Sequence, residues 1–306
     1  MNRPIKIAAF TFVSWMLTSP VHAVGTSSAQ FLKMGAGARA AAMGDAFVSV
    51  ADDAAATYWN PAGMRQLKHP ELSLMQANTL MQTQYQFLGA VLPIKNSAVG
   101  FVVQRMDYGS LDSYSAQDVK TGNFQASSMA GGLCAAVEIF KGATFGVTGK
   151  YISETIQSNT AKDYAADIGI MLDKSLLDGF NFGITVQNLG SGIKFLQESS
   201  PLPQTLRFGL STLRFHDHLL TALDYSLPND NTGTIHAGIE YKINSAFILR
   251  GGYQSTPGNN LKVDGLKNVS AGVGINIRNF DLDYAFVPYG DLGQMHRISA
   301  LIHFRP

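Results

Sequence analysis

From about residue 70 onward, apolar and polar residues alternate one by one, and this pattern recurs some fourteen times. A period of two puts successive side chains on opposite faces of an extended strand. In "TFGVTGKYISE", Phe145, Val147, Tyr151 and Ser153 share one face, and Thr144, Gly146, Thr148, Lys150 and Glu154 share the other. In "FDLDYAFV", Phe280, Leu282, Tyr284 and Phe286 oppose Asp281, Asp283 and Ala285. The same division runs through "HAGIEYKI", "TLRFGLS" and "RISALIHF". The segments lie at 72–78, 85–93, 98–108, 127–140, 144–155, 164–173, 180–189, 205–215, 219–227, 234–243, 247–254, 269–277, 280–288 and 295–304. Most are close to the roughly ten residues with which a tilted strand crosses a bilayer.

The connections alternate in length. "KN" at 95–96, "KG" at 141–142, "HD" at 216–217, "NS" at 244–245 and "RN" at 278–279 are short, whereas 107–123, 190–203 and 255–267 are long. Short turns at one end and long loops at the other describe an outer-membrane barrel whose short turns face the periplasm. A soluble β-sandwich also alternates, but two features favour the barrel. Lys150, Asp167, Asp224 and Arg250 sit on the polar face deep within strands, where a water-filled lumen tolerates charge. Aromatic residues recur near strand ends (Tyr151, Tyr164, Phe180, Tyr225, Tyr253, Tyr289), as interfacial girdles require. Charged residues make up 15% of the chain, well below the ~25% of an ordinary soluble domain. The expected fold class is therefore all-β: a fourteen-stranded antiparallel transmembrane β-barrel over residues 70–306, with both termini at the periplasmic side.

The N-terminus supplies the compartment. Arg3 and Lys6 precede the apolar run "IAAFTFVSWML", and Val21-His22-Ala23 forms a small-x-small site, so residues 1–23 read as a secretory signal peptide cleaved after Ala23. The run is roughly half of what a membrane-spanning helix needs. The single cysteine, Cys134, provides no disulfide framework and lies far from any lipidation site. Removing Arg3 and Lys6 leaves 21 basic residues against 22 acidic, without the basic patch that nucleic-acid binding requires. The expected localisation is the outer membrane of a Gram-negative-type bacterium, in contact with its lipid.

Residues 24–69 do not alternate and are rich in Ala and Gly. They are expected to hold one or two short helices, with Asp45 and Asp52 as N-caps, and to end in a turn at Asn60-Pro61-Ala62-Gly63. A compact small-residue segment ahead of a barrel is a candidate hatch within the lumen. Within it, Gly35-Ala36-Gly37-Ala38-Arg39-Ala40 matches the G-x-G-x-x-A pattern of a dinucleotide turn. That turn must follow a buried strand and open a βαβ crossover helix, and neither is present, so no cofactor is expected. The glycines are read as steric, and Arg39 as an anchor to a lumen acid such as Asp167 or Asp224.

Other constellations carry less. His216-Asp217-His218 lies in a short turn and is read as solvated rather than as a metal site. "PNDNTG" at 228–233 is read as a polar hairpin loop. Asp167, Asp224, Glu240, Asp281 and Asp283 are read as lumen charges paired with Lys150, Arg207 or Arg250, and no G-x-S-x-G accompanies them, so no catalysis is expected. In the loop 190–203, Ile193, Phe195, Leu196 and Leu202 are apolar. They form either an extracellular binding surface or a segment folded back to close the barrel mouth.

Two blocks carry a family resemblance. "FLKMGAGARAAAMGDAFVSVADDAAATYWNPAGM" at 31–64 resembles the N-terminal signature of PorV/PorQ proteins, within the FadL-like outer-membrane transport superfamily. "VQNLGSGIKF" at 186–195, followed by "PLPQTLRFGLS" at 201–211, resembles a second block of the same family. The resemblance implies a fourteen-stranded barrel with a hatch, the matching hatch positions being Gly35, Gly37, Arg39, Met43, Gly44, Asp45, Asp53, Asn60, Pro61, Ala62 and Gly63. It also implies one of two jobs. A PorV/PorQ-like protein would be a non-catalytic component of type IX-like secretion, binding secreted cargo proteins and a translocon; this is the expectation taken forward. The alternative is a FadL-type transporter of long-chain fatty acids or other hydrophobic small molecules.

Overall fold

The computed structural model describes residues 25–78, 83–195, 198–255 and 266–305. The signal-peptide expectation for residues 1–23 lies outside these residues, as does Leu196. Fourteen strands form the wall: β1 (Glu71–Asn78), β2 (Gln84–Ile94), β3 (Ser97–Tyr114), β4 (Lys120–Phe140), β5 (Ala143–Ile156), β6 (Asn159–Leu172), β7 (Phe180–Gly190), β10 (Thr205–Arg214), β11 (Leu219–Pro228), β12 (Thr234–Lys242), β13 (Phe247–Ser255), β14 (Val269–Ile277), β15 (Phe280–Pro288) and β16 (Gln294–His303). Two three-residue strands, β8 (Ile193–Phe195) and β9 (Glu198–Ser200), make a separate hairpin between β7 and β10. All wall neighbours are antiparallel, and β1 pairs with both β2 and β16, from Glu71 opposite His303 to Asn78 opposite His296. This closes the barrel and leaves no edge strand in the membrane.

The alternation read from the sequence becomes the two sides of the wall. In β5, Gly146, Thr148, Lys150 and Ile152 point inward, and Val147 and Tyr151 point outward. Outward positions across the barrel carry exposed Leu133, Tyr164, Leu223, Ile239, Leu249 and Ile298, the apolar surface that lipid requires. Tyr151 and Tyr164 pair on that surface with ring centroids 5.6 Å apart. Tyr289 is the exception among the expected girdle residues: it packs inward against the lumen core.

The turns at 95–96, 141–142, 215–218, 243–246 and 278–279 lie at one end, which by the rule for such barrels is the periplasmic end. The expected long loop 107–123 is mostly strand, because β3 and β4 continue to Tyr114 and back from Lys120. That extension projects past β2 and β5, with Leu111 opposite Phe124 amid mostly polar residues, so the period-two pattern that marks a wall strand is missing.

The hatch fills the lumen. It contains a 3-10 turn (Gln30–Lys33), helix α1 (Ala38–Ala42), helix α2 (Ala56–Trp59) and a second 3-10 turn (Pro61–Gln66). Phe31, Leu32, Met43, Phe47, Trp59 and Met64 are among its fully buried side chains. Neither expected N-cap forms. Asp45 lies in a left-handed turn (φ 62°), and it is Asp53 that accepts from the backbone N–H of Ala55 (2.8 Å) at the start of α2. Asn60 caps the second 3-10 turn, its Oδ1 accepting from Ala62 N (3.1 Å), with Pro61 in the position where a missing N–H costs nothing.

Candidate functional site at the seam between hatch and wall

The hatch meets the wall in two chemically different ways. Along β5, β6 and β7, inward glycines let the hatch come directly against the wall backbone. A Cβ on Gly146 would lie 2.3 Å from Ala62 N, on Gly169 2.1 Å from Asn60 Oδ1, and on Gly183 2.4 Å from Val48 O. Asn60 Nδ2 donates to Val48 O (3.1 Å) and to Ile170 O (3.2 Å), tying hatch and wall through one side chain. On this side the hatch is wedged.

Along β10 to β16, glycine contacts of the same kind (Gly238 on Met43, Gly252 on Gly44) are joined by a network of ion pairs. Arg39 Nε donates to Glu240 Oε2 (2.8 Å), and its Nη1 reaches Asp52 Oδ1 (2.6 Å) and Asp53 Oδ2 (3.2 Å). Glu240 also accepts from Arg250 Nε (2.7 Å), and Arg250 Nη1 donates to Asp283 Oδ1 (2.6 Å). Arg39 stacks over the Phe47 ring, 5.2 Å from its centroid. Arg39 is thus an anchor, but to Glu240 rather than to Asp167 or Asp224. Asp167 instead pairs with Lys150 (2.7 Å), and Asp224 accepts from the backbone N–H groups of Phe47 (2.7 Å) and Val48 (2.8 Å). Burial raises the Asp53 carboxyl to about 6, with Asp52 adding to the rise and Arg39 opposing it.

The remaining signature positions are structural joints. Gly37 has φ +84° and opens α1, while a Cβ on Gly35 would meet Asp45 Oδ1 and the Trp59 ring at 2.9 Å. Gly35 O accepts from Arg297 Nη1 (2.7 Å), and Gly44 O meets His236 Nδ1 (2.8 Å). Asp45 Oδ2 accepts from Gln254 Nε2 (3.0 Å). Met43 is fully buried over Gly238, and Gly63 passes so close to Ala51 that a Cβ there would lie 2.2 Å from Ala51 O.

The second block also acquires a role. Asn188 forms a left-handed bulge in β7 (φ 60°), its N–H donating to Asp167 (2.7 Å) and its Nδ2 to Pro203 O (3.0 Å); Lys150 donates to its Oδ1. Gln187 Nε2 donates to Tyr58 O (2.6 Å) in the hatch. Ile193 and Leu202 are fully buried, folded back over the outer mouth, and so do not form the outward-facing binding surface; Phe195 stands at the end of β8. Sequence reasoning missed Asp230, in the "PNDNTG" loop. It accepts from Lys33 Nζ at 2.6 Å, from Gln30 Nε2 at 2.9 Å and from Ser27, clasping the hatch N-terminus to the outer rim. Only the polar loop composition was visible, and nothing local signals a partner some 200 positions away.

At the short-turn end, below the hatch, lies a cavity of about 790 Å³. Val50, Leu67 and Met171 give it apolar patches, and Arg39, Asp52 and Glu240 line its deep end. Toward the outer end, the hatch and wall pack through methionines and aromatics, including Met75, Met106, Met295, Tyr85 and Phe31, with Leu32 beside them. Among the described residues no group of three His, Cys, Asp or Glu side chains could hold a metal ion.

A closed fourteen-stranded barrel with an apolar exterior and a hatch in its lumen defines an outer-membrane-type β-barrel plugged by its N-terminal segment. The chain belongs to the family described as Uncharacterised protein family (UPF0164), whose model matches residues 18–300. No curated protein matches it. Among solved structures it is similar to the Pseudomonas putida toluene transporter TodX, at 12% identity over 88% of this chain and 97% of that chain (TM-score 0.63). It is also similar to the Ralstonia pickettii toluene transporter TbuX, at 15% identity over 88% and 97% (TM-score 0.60). A Pseudomonas aeruginosa FadL homologue matches at 12% identity over 94% and 100% (TM-score 0.58). At these identities the likeness is one of fold. The secretion partnership with cargo and translocon, and the PorV/PorQ assignment, find no support in these matches; the FadL-like architecture does.

Proposed function

We propose that the protein is a non-catalytic outer-membrane channel for small hydrophobic compounds, with the hatch as its closure. The observation that carries this reading is the outer half of the lumen, where the hatch packs on Met75, Met106, Met295, Tyr85 and Phe87. Methionine side chains are unbranched and polarizable, so such a contact can repack around an apolar solute at small cost. The fold of two toluene transporters supports the same reading. A small hydrocarbon would enter from the outer face, displace the N-terminal segment held by Asp230, and leave through the inner cavity. The test is toluene uptake by cells that express the full chain against cells that do not. Faster uptake is expected. Equal uptake, with the protein present as a heat-modifiable outer-membrane band, would overturn the reading, and co-purification of secreted proteins would return the secretion role to consideration.

A further inference from the structure

Beyond hydrophobic transport, we infer that the seam between the hatch and the β12–β13–β15–β16 wall is an aqueous, cation-preferring route through the barrel, closed by the Arg39 side chain. Two voids meet at this residue. The inner cavity of about 790 Å³ reaches Arg39 beside Asp52 and Glu240. On the other side of the guanidinium lies a void of about 10 Å³, bounded by Arg39, Gly37, Asp53, Ser73, Asp283 and Ser299. That volume is about what one water molecule occupies by the same measure. Arg39 lines both and is the partition between them.

The polar lining continues outward on the same wall. Ser299 Oγ accepts from Ala38 N (3.0 Å), Ser270 Oγ accepts from Gly44 N (3.1 Å), and Gln254 and Arg297 reach Asp45 and Gly35. On the opposite side, Gly146 and Gly183 bring backbone into direct contact and Gly169 seats the Asn60 side chain, and on this wall Gly252 meets Gly44 in the same way, so the route runs beside Ser73, Asp283 and Ser299, where the second void lies. An interface built of ion pairs and hydroxyls can exchange its partners for water, whereas a backbone contact against glycine leaves no room for it.

The charges at the partition are unequal. Glu240, Asp52, Asp53 and Asp283 face Arg39 and Arg250, four carboxylates against two guanidiniums. With Arg39 removed, the imbalance grows and the two voids become one. At this narrowest point the excess negative charge concentrates cations, whereas the wider inner cavity, lined also by Arg65, Lys68, Lys95, Lys174 and Lys242, does not set the selectivity.

The experiment uses the full-length protein in planar bilayers under a KCl gradient. Arg39→Ala should raise conductance several-fold over the parent, with a reversal potential on the potassium side. Arg39→Lys, which keeps the charge but cannot span three carboxylates, should fall between the two. Glu240→Gln, which leaves Arg39 in place with a weaker anchor, should conduct more than the parent and less than Arg39→Ala. Met64→Ala, on the glycine-packed side, is the control for simple loosening, and heat-modifiable mobility reports that each barrel is closed. The inference fails if Arg39→Ala conducts no more than the parent, if Met64→Ala conducts as much, or if the open state prefers chloride.

Discussion

Glu240 of β12 holds two guanidiniums on one oxygen: Arg39 of the hatch at 2.8 Å and Arg250 of β13 at 2.7 Å. Glu240 and Arg250 lie directly opposite each other in the strand register, so this half of the joint is built into the wall before the hatch arrives. The hatch adds Arg39, with Asp52 and Asp53 supplying the negative charge that a second cation needs. Glu240→Ala leaves Arg250 with Asp283 and Arg39 with its two aspartates. Its cost is therefore expected near the low end of the ~3–5 kcal/mol for breaking a buried pair. Hydrogen exchange should accelerate over residues 38–45 while the strands stay protected, and unchanged protection there would contradict the anchor.

Asp224 is a cap without a helix. Its Oδ2 accepts from two consecutive hatch N–H groups, Phe47 and Val48, and the residue is almost fully buried. Asp224→Ala orphans both donors, each costing about 1–3 kcal/mol when buried without a partner. Asp224→Asn keeps an acceptor and should retain most of the protection of residues 47–49. Equal exchange in the two variants would mean that the carboxylate does not hold this segment.

The wall glycines give a steric prediction. Gly169→Ala places a methyl 2.1 Å from Asn60 Oδ1, so the Asn60-Pro61 corner must move or the strand must bend. Overpacking of this kind costs about 1–3 kcal/mol. Gly149→Ala points outward with nothing within 4 Å and should be neutral. Limited proteolysis of the hatch in detergent would separate them: cleavage should rise in Gly169→Ala alone.

Asp53 should make hatch docking pH-dependent. Its carboxyl is raised from 3.8 to about 6, first by burial and then by Asp52, with Arg39 opposing and Asp283 facing it. A raised acid binds its proton more tightly in the docked state, so docking weakens as pH rises from about 4 to about 6. Hydrogen exchange at the start of α2 should therefore be slower at pH 5 than at pH 7, after correction for intrinsic rates. Asp53→Asn should flatten that difference; a slope that survives the substitution would assign it to another group.

The wall was readable because strand alternation is a local property: Phe145, Val147 and Tyr151 declare their face without reference to any partner. The Glu240–Arg250 pair was also within reach, since the short turn at 243–246 fixes their register. What could not be read was the docking of the hatch. Arg39 finds Glu240 across 201 positions, and its competitors Asp167 and Asp224 were equally acidic and equally lumen-facing. Gly169 and Gly183 carried no readable role, since the residues they make room for, Asn60 and Val48, lie more than 100 positions earlier. Ile193 and Leu202 were ambiguous for a related reason: an apolar loop reads the same whether it turns outward or closes a mouth.

At the outer rim, the Asp230 clasp gives a prediction of opposite sign to that for Asp53. Burial works to raise this carboxyl, but hydrogen bonds from Lys33, Ser27 and Gln30 outweigh it and hold it at about 2. A lowered acid contributes stability that is complete above its ordinary value of 3.8 and is lost as pH falls toward 2. The N-terminal segment from Gly25 to Lys33 should thus stay clasped through pH 5 and release between about pH 4 and pH 2, whereas Asp230→Asn should be partly released at every pH. A fluorophore on Ser28→Cys, with Cys134→Ser to remove the native thiol, would report the release as a rise in mobility. If the label is equally immobile in Asp230→Asn and its parent at pH 7, the clasp does not hold the segment, and another contact of the hatch must fix its outer end.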